Sequence, residues 1–191
     1  MGGVRKALQA QLNALYQQMV QQGNLRTGTY KADNFPYVVV PSSSAPPHII
    51  HDYGAAFGLT CATKSEERAM GLEATFSHCE TYPKICKEKK RLMFVVSDLV
   101  PEEFRNPCAA HLYVKGYYEF SDKSASHALA TKAEFEEAER NGLEFLKRYT
   151  AWWMVQQKEN LDKAPRQELA ALKKLLPPFA AAVLIKEGYA L

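Results

Sequence analysis

The chain has 191 residues, of which 47% are hydrophobic and 24% charged, a globular balance that excludes disordered and collagen-like classes. Its formal charge is +3, and both signs are interspersed except at Lys87, Lys89, Lys90 and Arg91, too mild a bias to argue for nucleic acid. No run approaches the roughly 18 apolar residues of a membrane-spanning helix, the nearest being the short stretch from Phe179 to Ile185.

Residues 1–32 contain no acidic side chain, and Val4, Leu8, Leu12, Leu15 and Met19 fall on one helical face. This predicts an amphipathic helix over about 4–22, stopped by Gly23-Asn24. The composition also suits a mitochondrial transit peptide, but the segment is read as a retained helix. Lys6 stands where myristoylation of Gly2 would want Ser or Thr, which argues against lipidation. Phe35-Pro-Tyr-Val-Val-Val-Pro41 is β-branched but enclosed by prolines, so it is expected to be an extended arm leading into the Ser/Pro linker at 42–47, not a central strand.

Helices dominate the expectation from there on. A short one is predicted over 49–57, ending at Gly58. Thr63-Lys-Ser-Glu66 has the capping-box pattern and places another over 64–81. Pro83 suits the first turn of a helix running through Leu99, and Asn106-Pro107 repeats that signal for a helix over 107–120. After a turn at 121–124, the longest helix is expected from about 125 to 158, carrying Leu129, Phe135, Leu143, Leu146, Tyr149 and Trp153. Pro165 opens a last helix, which Pro177-Pro178 interrupts. The fold class is therefore mainly α, with short connections that make neighbouring helices antiparallel.

Catalytic signals are weak. His48, His51, Cys61, His78 and Cys79 lie close in sequence, but no zincin Glu follows and Cys-x6-Cys is not a usual zinc spacing. No Gly-rich nucleotide cradle or Gly-x-Ser-x-Gly elbow occurs. Glu134, Glu136, Glu137 and Glu139 read as a solvated acidic face balanced by Lys132 and Arg140, and His111 and His127 as partly exposed polar residues. No catalytic residue, cofactor or metal is expected. The aromatic groups Trp152-Trp153-Met154 and Tyr113, Tyr117, Tyr118, Phe120 suit either core or interface; Trp152, Trp153 and Tyr117 are the candidate contact residues.

One register runs through the middle of the chain. Cys86 is followed ten residues later by Val96, twelve later by Cys108, and then at intervals of ten by Tyr118, Ala128 and Ala138. With His51-Asp-Tyr-Gly-Ala55, Pro83-Lys-Ile-Cys-Lys-Glu88, Cys108-Ala109, His127-Ala128 and Ala133-Glu-Phe-Glu-Glu-Ala138, this resembles the coiled-coil-helix-coiled-coil-helix proteins of the mitochondrial intermembrane space. Within that family the likeness is to the eight-cysteine accessory subunits of respiratory complex I, and it spans roughly residues 48–143.

The resemblance implies a double helical hairpin over 48–143, flanked by an N-terminal helix and arm over 1–47 and a helical extension over 144–191. It implies an inner pair Cys79 and Cys86, bridged or left as thiols, with Ala69 and Val96 replacing the outer cystine. In the second hairpin Tyr118 and Ala128 replace the inner pair, and Cys108 and Ala138 stand at the outer one. Cys61 and Cys108 either pair with each other or remain buried thiols. It also implies a non-catalytic accessory subunit on the intermembrane-space side of the inner membrane, peripheral to the bilayer. Its partners would be other subunits of complex I; the alternative is a helical subunit or assembly factor of another respiratory complex, cytochrome c oxidase or ATP synthase.

Overall fold

A computed structural model of the chain describes residues 2–43, 54–60, 90–121 and 126–189. The chain opens with helix α1, Gly2–Gln21, which closes at the expected stop: Gly23 N–H donates to Val20 O and Asn24 N–H to Met19 O. A β-hairpin follows, β1 Leu25–Tyr30 and β2 Asp33–Val40, paired antiparallel with Leu25 opposite Val38 and Tyr30 opposite Asp33. Strand β3, Gly54–Thr60, and strand β4, Lys90–Ser97, pair antiparallel with Gly54 opposite Val96. β4 also runs parallel to β2, with Val38 opposite Val95. The result is a four-stranded mixed sheet in the order β1-β2-β4-β3.

Four expectations fail here. Residues 35–40 are not an outlying arm but one of the two central strands. Pro36 is tolerated because the ladder to β4 begins only at Val38, so its missing N–H costs no bond on that side. The helix expected over 49–57 is replaced, within the described residues, by β3. The helix expected to run from Pro83 to Leu99 gives way to β4 at Lys90–Ser97. Val96 accordingly lies on a strand, opposite Gly54 and Val39, and not on the arm of a helical hairpin.

The central strands are apolar on both faces, as strands covered on both sides must be. Side chains alternate across a sheet. Val38, Val40, Met93 and Val95 therefore meet Tyr16 and Met19 of α1 in one core, while Phe35, Tyr37, Val39, Phe94 and Val96 enter the larger core on the opposite face. That second face is covered by α2, Arg105–Ser121, entered through a 3-10 turn at Glu102–Phe104. Tyr113 of α2 stacks on Phe35, with ring centroids 4.3 Å apart and planes at 16°.

Beyond α2 lie α3, Ser126–Arg140, α4, Leu143–Lys163, α5, Arg166–Leu175, and α6, Pro178–Lys186. Helices α2 and α3 pack against each other, but β4 stands where the second arm of the first hairpin was expected, so the double helical hairpin over 48–143 is not what the described residues form. The single long helix expected over 125–158 does not form either. Gly142 (φ 94°, ψ 166°) breaks it into α3 and α4, in a backbone region essentially restricted to glycine. The break resets the helical phase, so Leu143, expected on the inward stripe, is 57% exposed. Pro165 and Pro177-Pro178 delimit α5 and α6 as expected. Described residues are thus mostly helical, but the helices lean on a sheet. Of these described helices, none is long and apolar enough to cross a membrane.

Candidate functional site

α3 carries a glutamate into the helical core. Ala130, Glu134 and Ala138 follow one another at four-residue spacing, so they share a helix face, and all three are fully buried. Glu134 is held from both sides. His111 Nδ1, from α2, lies 2.6 Å from Glu134 Oε2, and the Tyr149 hydroxyl, from α4, donates to Glu134 Oε1 at 2.5 Å. Cys108 Sγ, one turn before His111, lies 3.7 Å from the same hydroxyl. Because the phenolic proton points at a carboxylate, a far better acceptor than a thiol, the Cys108 S–H donates to the Tyr149 oxygen. Three helices therefore meet at one carboxylate.

The chemistry of this cluster is that of a clamp. Cys108 is a free, buried thiol. Burial foremost, and the charge of Glu134 next, push its pKa well above 9.0. A thiol held protonated and away from solvent is inert as a nucleophile. Both carboxylate oxygens of Glu134 are engaged by neighbouring helices, as a buried charge requires.

A second carboxylate ties the sheet to the helices. Glu137, 5% exposed, accepts from Thr29 Oγ1 at 2.9 Å, Asn106 Nδ2 at 3.1 Å and Arg140 Nη1 at 3.2 Å. Asn106 Oδ1 in turn accepts the backbone N–H of Thr29 at 2.8 Å. Nearby, Tyr30 donates to Glu136 at 3.0 Å and Arg140 to the Lys31 carbonyl at 3.1 Å. The β1–β2 hairpin is thereby fastened to α2 and α3 by polar contacts.

The solvated acidic face expected at 134–139 is thus corrected at two of its four members, since Glu134 and Glu137 are buried. His111, expected partly exposed, is also buried, at 6%; His127 is exposed and sets its ring edge-to-face against His111, centroids 5.5 Å apart. One signal for Glu134 was available in the sequence: a lone glutamate inside an alanine stripe at four-residue spacing.

The other expected site residues scatter. Cys108 and Ala138 lie in the same core. Ala128 lies in the first turn of α3, and Tyr117 and Tyr118 lie near the end of α2 with side chains outside the described residues. Trp153 is buried, edge-on to Phe135 at 5.2 Å, and Trp152 is half-buried beside Phe104 and Tyr149. Ala69, Cys79 and Cys86, with their expected pairings, lie outside the described residues, as do His48, His51, Cys61 and His78. Among the described residues no group of three His, Cys, Asp or Glu is placed to hold a metal ion.

A cavity of about 430 Å³ opens between α3, α4 and α5, walled by Trp153, Leu161, Leu169 and Leu172. Its polar lining comes from His127, Thr131, Gln157, Asn160 and Glu168. Comparison of the chain with protein-family models, with curated proteins and with solved structures finds no match.

Proposed function

We propose that this protein acts by binding and not by catalysis, as a non-catalytic accessory subunit of a mitochondrial respiratory complex, with NADH:ubiquinone oxidoreductase (complex I) the first assembly to test. It would sit peripherally on the intermembrane-space side of the inner membrane. The observation that carries the binding role is the use to which the chemistry-bearing side chains are put. Cys108, His111, Glu134 and Tyr149 join α2, α3 and α4 at one buried carboxylate, where a reactive site would turn such groups toward a substrate.

The part of the resemblance to complex I subunits that still falls on helices is the stretch over 107–143, since Val96 stands on β4. There the Glu134 clamp would take the part that paired cysteines play in the resembled family, holding α2 and α3 together without a covalent bond. Native electrophoresis of mitochondrial membranes tests the proposal. The chain is expected to migrate with NADH dehydrogenase activity, and its depletion to lower the yield of the assembled complex. Migration with cytochrome c oxidase or ATP synthase would move the same role to that assembly. Migration as a free species would overturn it.

A further inference from the structure

The cavity between α3, α4 and α5 measures about 430 Å³, within the roughly 300–1,000 Å³ typical of small-molecule sites. We propose that it binds a small amphiphilic amine, with an apolar body against Trp153, Leu161, Leu169 and Leu172 and an ammonium group directed to Glu168. This site is independent of the assembly role.

The charge pattern selects the amine. Glu168, on the first turn of α5, is the lining residue with a formal negative charge, and no lysine or arginine is among the lining residues. Three nearby cations are paired with carboxylates of their own helices, Lys132 with Glu136 at 3.5 Å, Lys158 with Asp162 at 3.1 Å and Lys163 with Glu159 at 2.5 Å, and Arg166, at the start of α5, lies outside the lining. An anionic amphiphile of the same shape would bring its carboxylate against Glu168 with no cation of the wall to meet it. The remaining polar groups suit an N–H donor. Thr131 donates its hydroxyl proton to the His127 carbonyl at 3.1 Å, which leaves lone pairs on its oxygen to accept. Asn160 donates through Nδ2 to Gln157 Oε1 at 2.8 Å, so its own carbonyl oxygen remains an acceptor. Apolar walls supply affinity and the single carboxylate supplies direction, the usual division of labour in such sites.

Titration calorimetry of the full chain with hexylamine, hexanoate and hexanol at low ionic strength tests this. Hexylamine is expected to bind about tenfold more tightly than hexanoate, and to bind more tightly than butylamine by roughly tenfold, following its two extra methylenes. Glu168→Gln should abolish the preference for the amine while keeping hexanol binding, which shows the cavity intact. Ala171→Trp, at an exposed lining position, should block all three probes. Equal binding of amine and carboxylate, an unchanged preference in Glu168→Gln, or no hexylamine binding at millimolar concentration would each overturn the assignment.

Discussion

Replacing Glu134 by leucine should expose how much of the helical half depends on one carboxylate. The substitution puts an apolar side chain in the same place and removes two buried hydrogen bonds, those of His111 Nδ1 and of the Tyr149 hydroxyl to the carboxylate. A hydrogen bond to a charged group is worth about 1.5–3 kcal/mol. The leucine recovers part of this, because a buried carboxylate carries its own desolvation cost. The Tyr149 hydroxyl can also turn toward Cys108 Sγ, 3.7 Å away, a weak acceptor. The net loss is therefore about 3 kcal/mol, or 6–12 °C in melting temperature at roughly 2–4 °C per kcal/mol for a chain of this size.

Urea denaturation followed by tryptophan fluorescence and circular dichroism at pH 7 measures it, with the slope checked for constancy. The triple variant Glu134→Leu, His111→Leu, Tyr149→Phe replaces the whole cluster with apolar groups and should recover most of the loss, as apolar replacements of buried ionic clusters do. A cost below about 0.5 kcal/mol for the single variant, or a triple variant no more stable than the single, would refute the clamp.

Gly28→Ala should cost about 1–3 kcal/mol by overpacking: its Cβ would fall 2.5 Å from the Phe35 ring, which cannot swing away because Tyr113 stacks on it at 4.3 Å. Thermal melts read the loss. Gly142→Ala and Gly142→Asn should both destabilise by about 1–3 kcal/mol, although open space surrounds the position, because its backbone conformation excludes any side chain; were asparagine tolerated, the strain argument would fail. The Cys108 thiol should resist alkylation in the native state and react on unfolding, as peptide mapping can show. Its raised folded pKa also sets a pH dependence: stability is complete below the unfolded value near 9.0 and falls as pH rises above it, because only the unfolded thiol ionises. Relative to Cys108→Ala, the wild type should lose up to about 1.4 kcal/mol per pH unit there, and parallel stability profiles would contradict this.

Some helix ends set by glycine or proline were legible in the sequence, although the break at Gly142 was not. Gly23 closes α1, and Pro165 and Pro177-Pro178 delimit α5 and α6. The sheet was not legible, for two physical reasons. Its central strands are buried on both faces, so Val38-Val39-Val40 and Met93-Phe94-Val95-Val96 read as continuous apolar runs whose period cannot separate strand from helix. Proline then argued against β2, although Pro36 lies outside the span that pairs with β4. The turn at Lys31-Ala32 lacks glycine and asparagine, yet Lys31 adopts φ 55°, so the hairpin carried no turn signal. Glu137 and His111 likewise gave no cue, because their partners lie 108 and 23 positions away, distances at which pattern reasoning says nothing. The same burial explains why Trp153 stands in the core while its neighbour Trp152 is half-buried.

Quantitative mass spectrometry of purified, fully assembled NADH:ubiquinone oxidoreductase from the source membranes tests the functional claim most directly. The proposal predicts this chain in amounts equal to those of the core subunits. Its absence from a preparation in which every core subunit is present would contradict it.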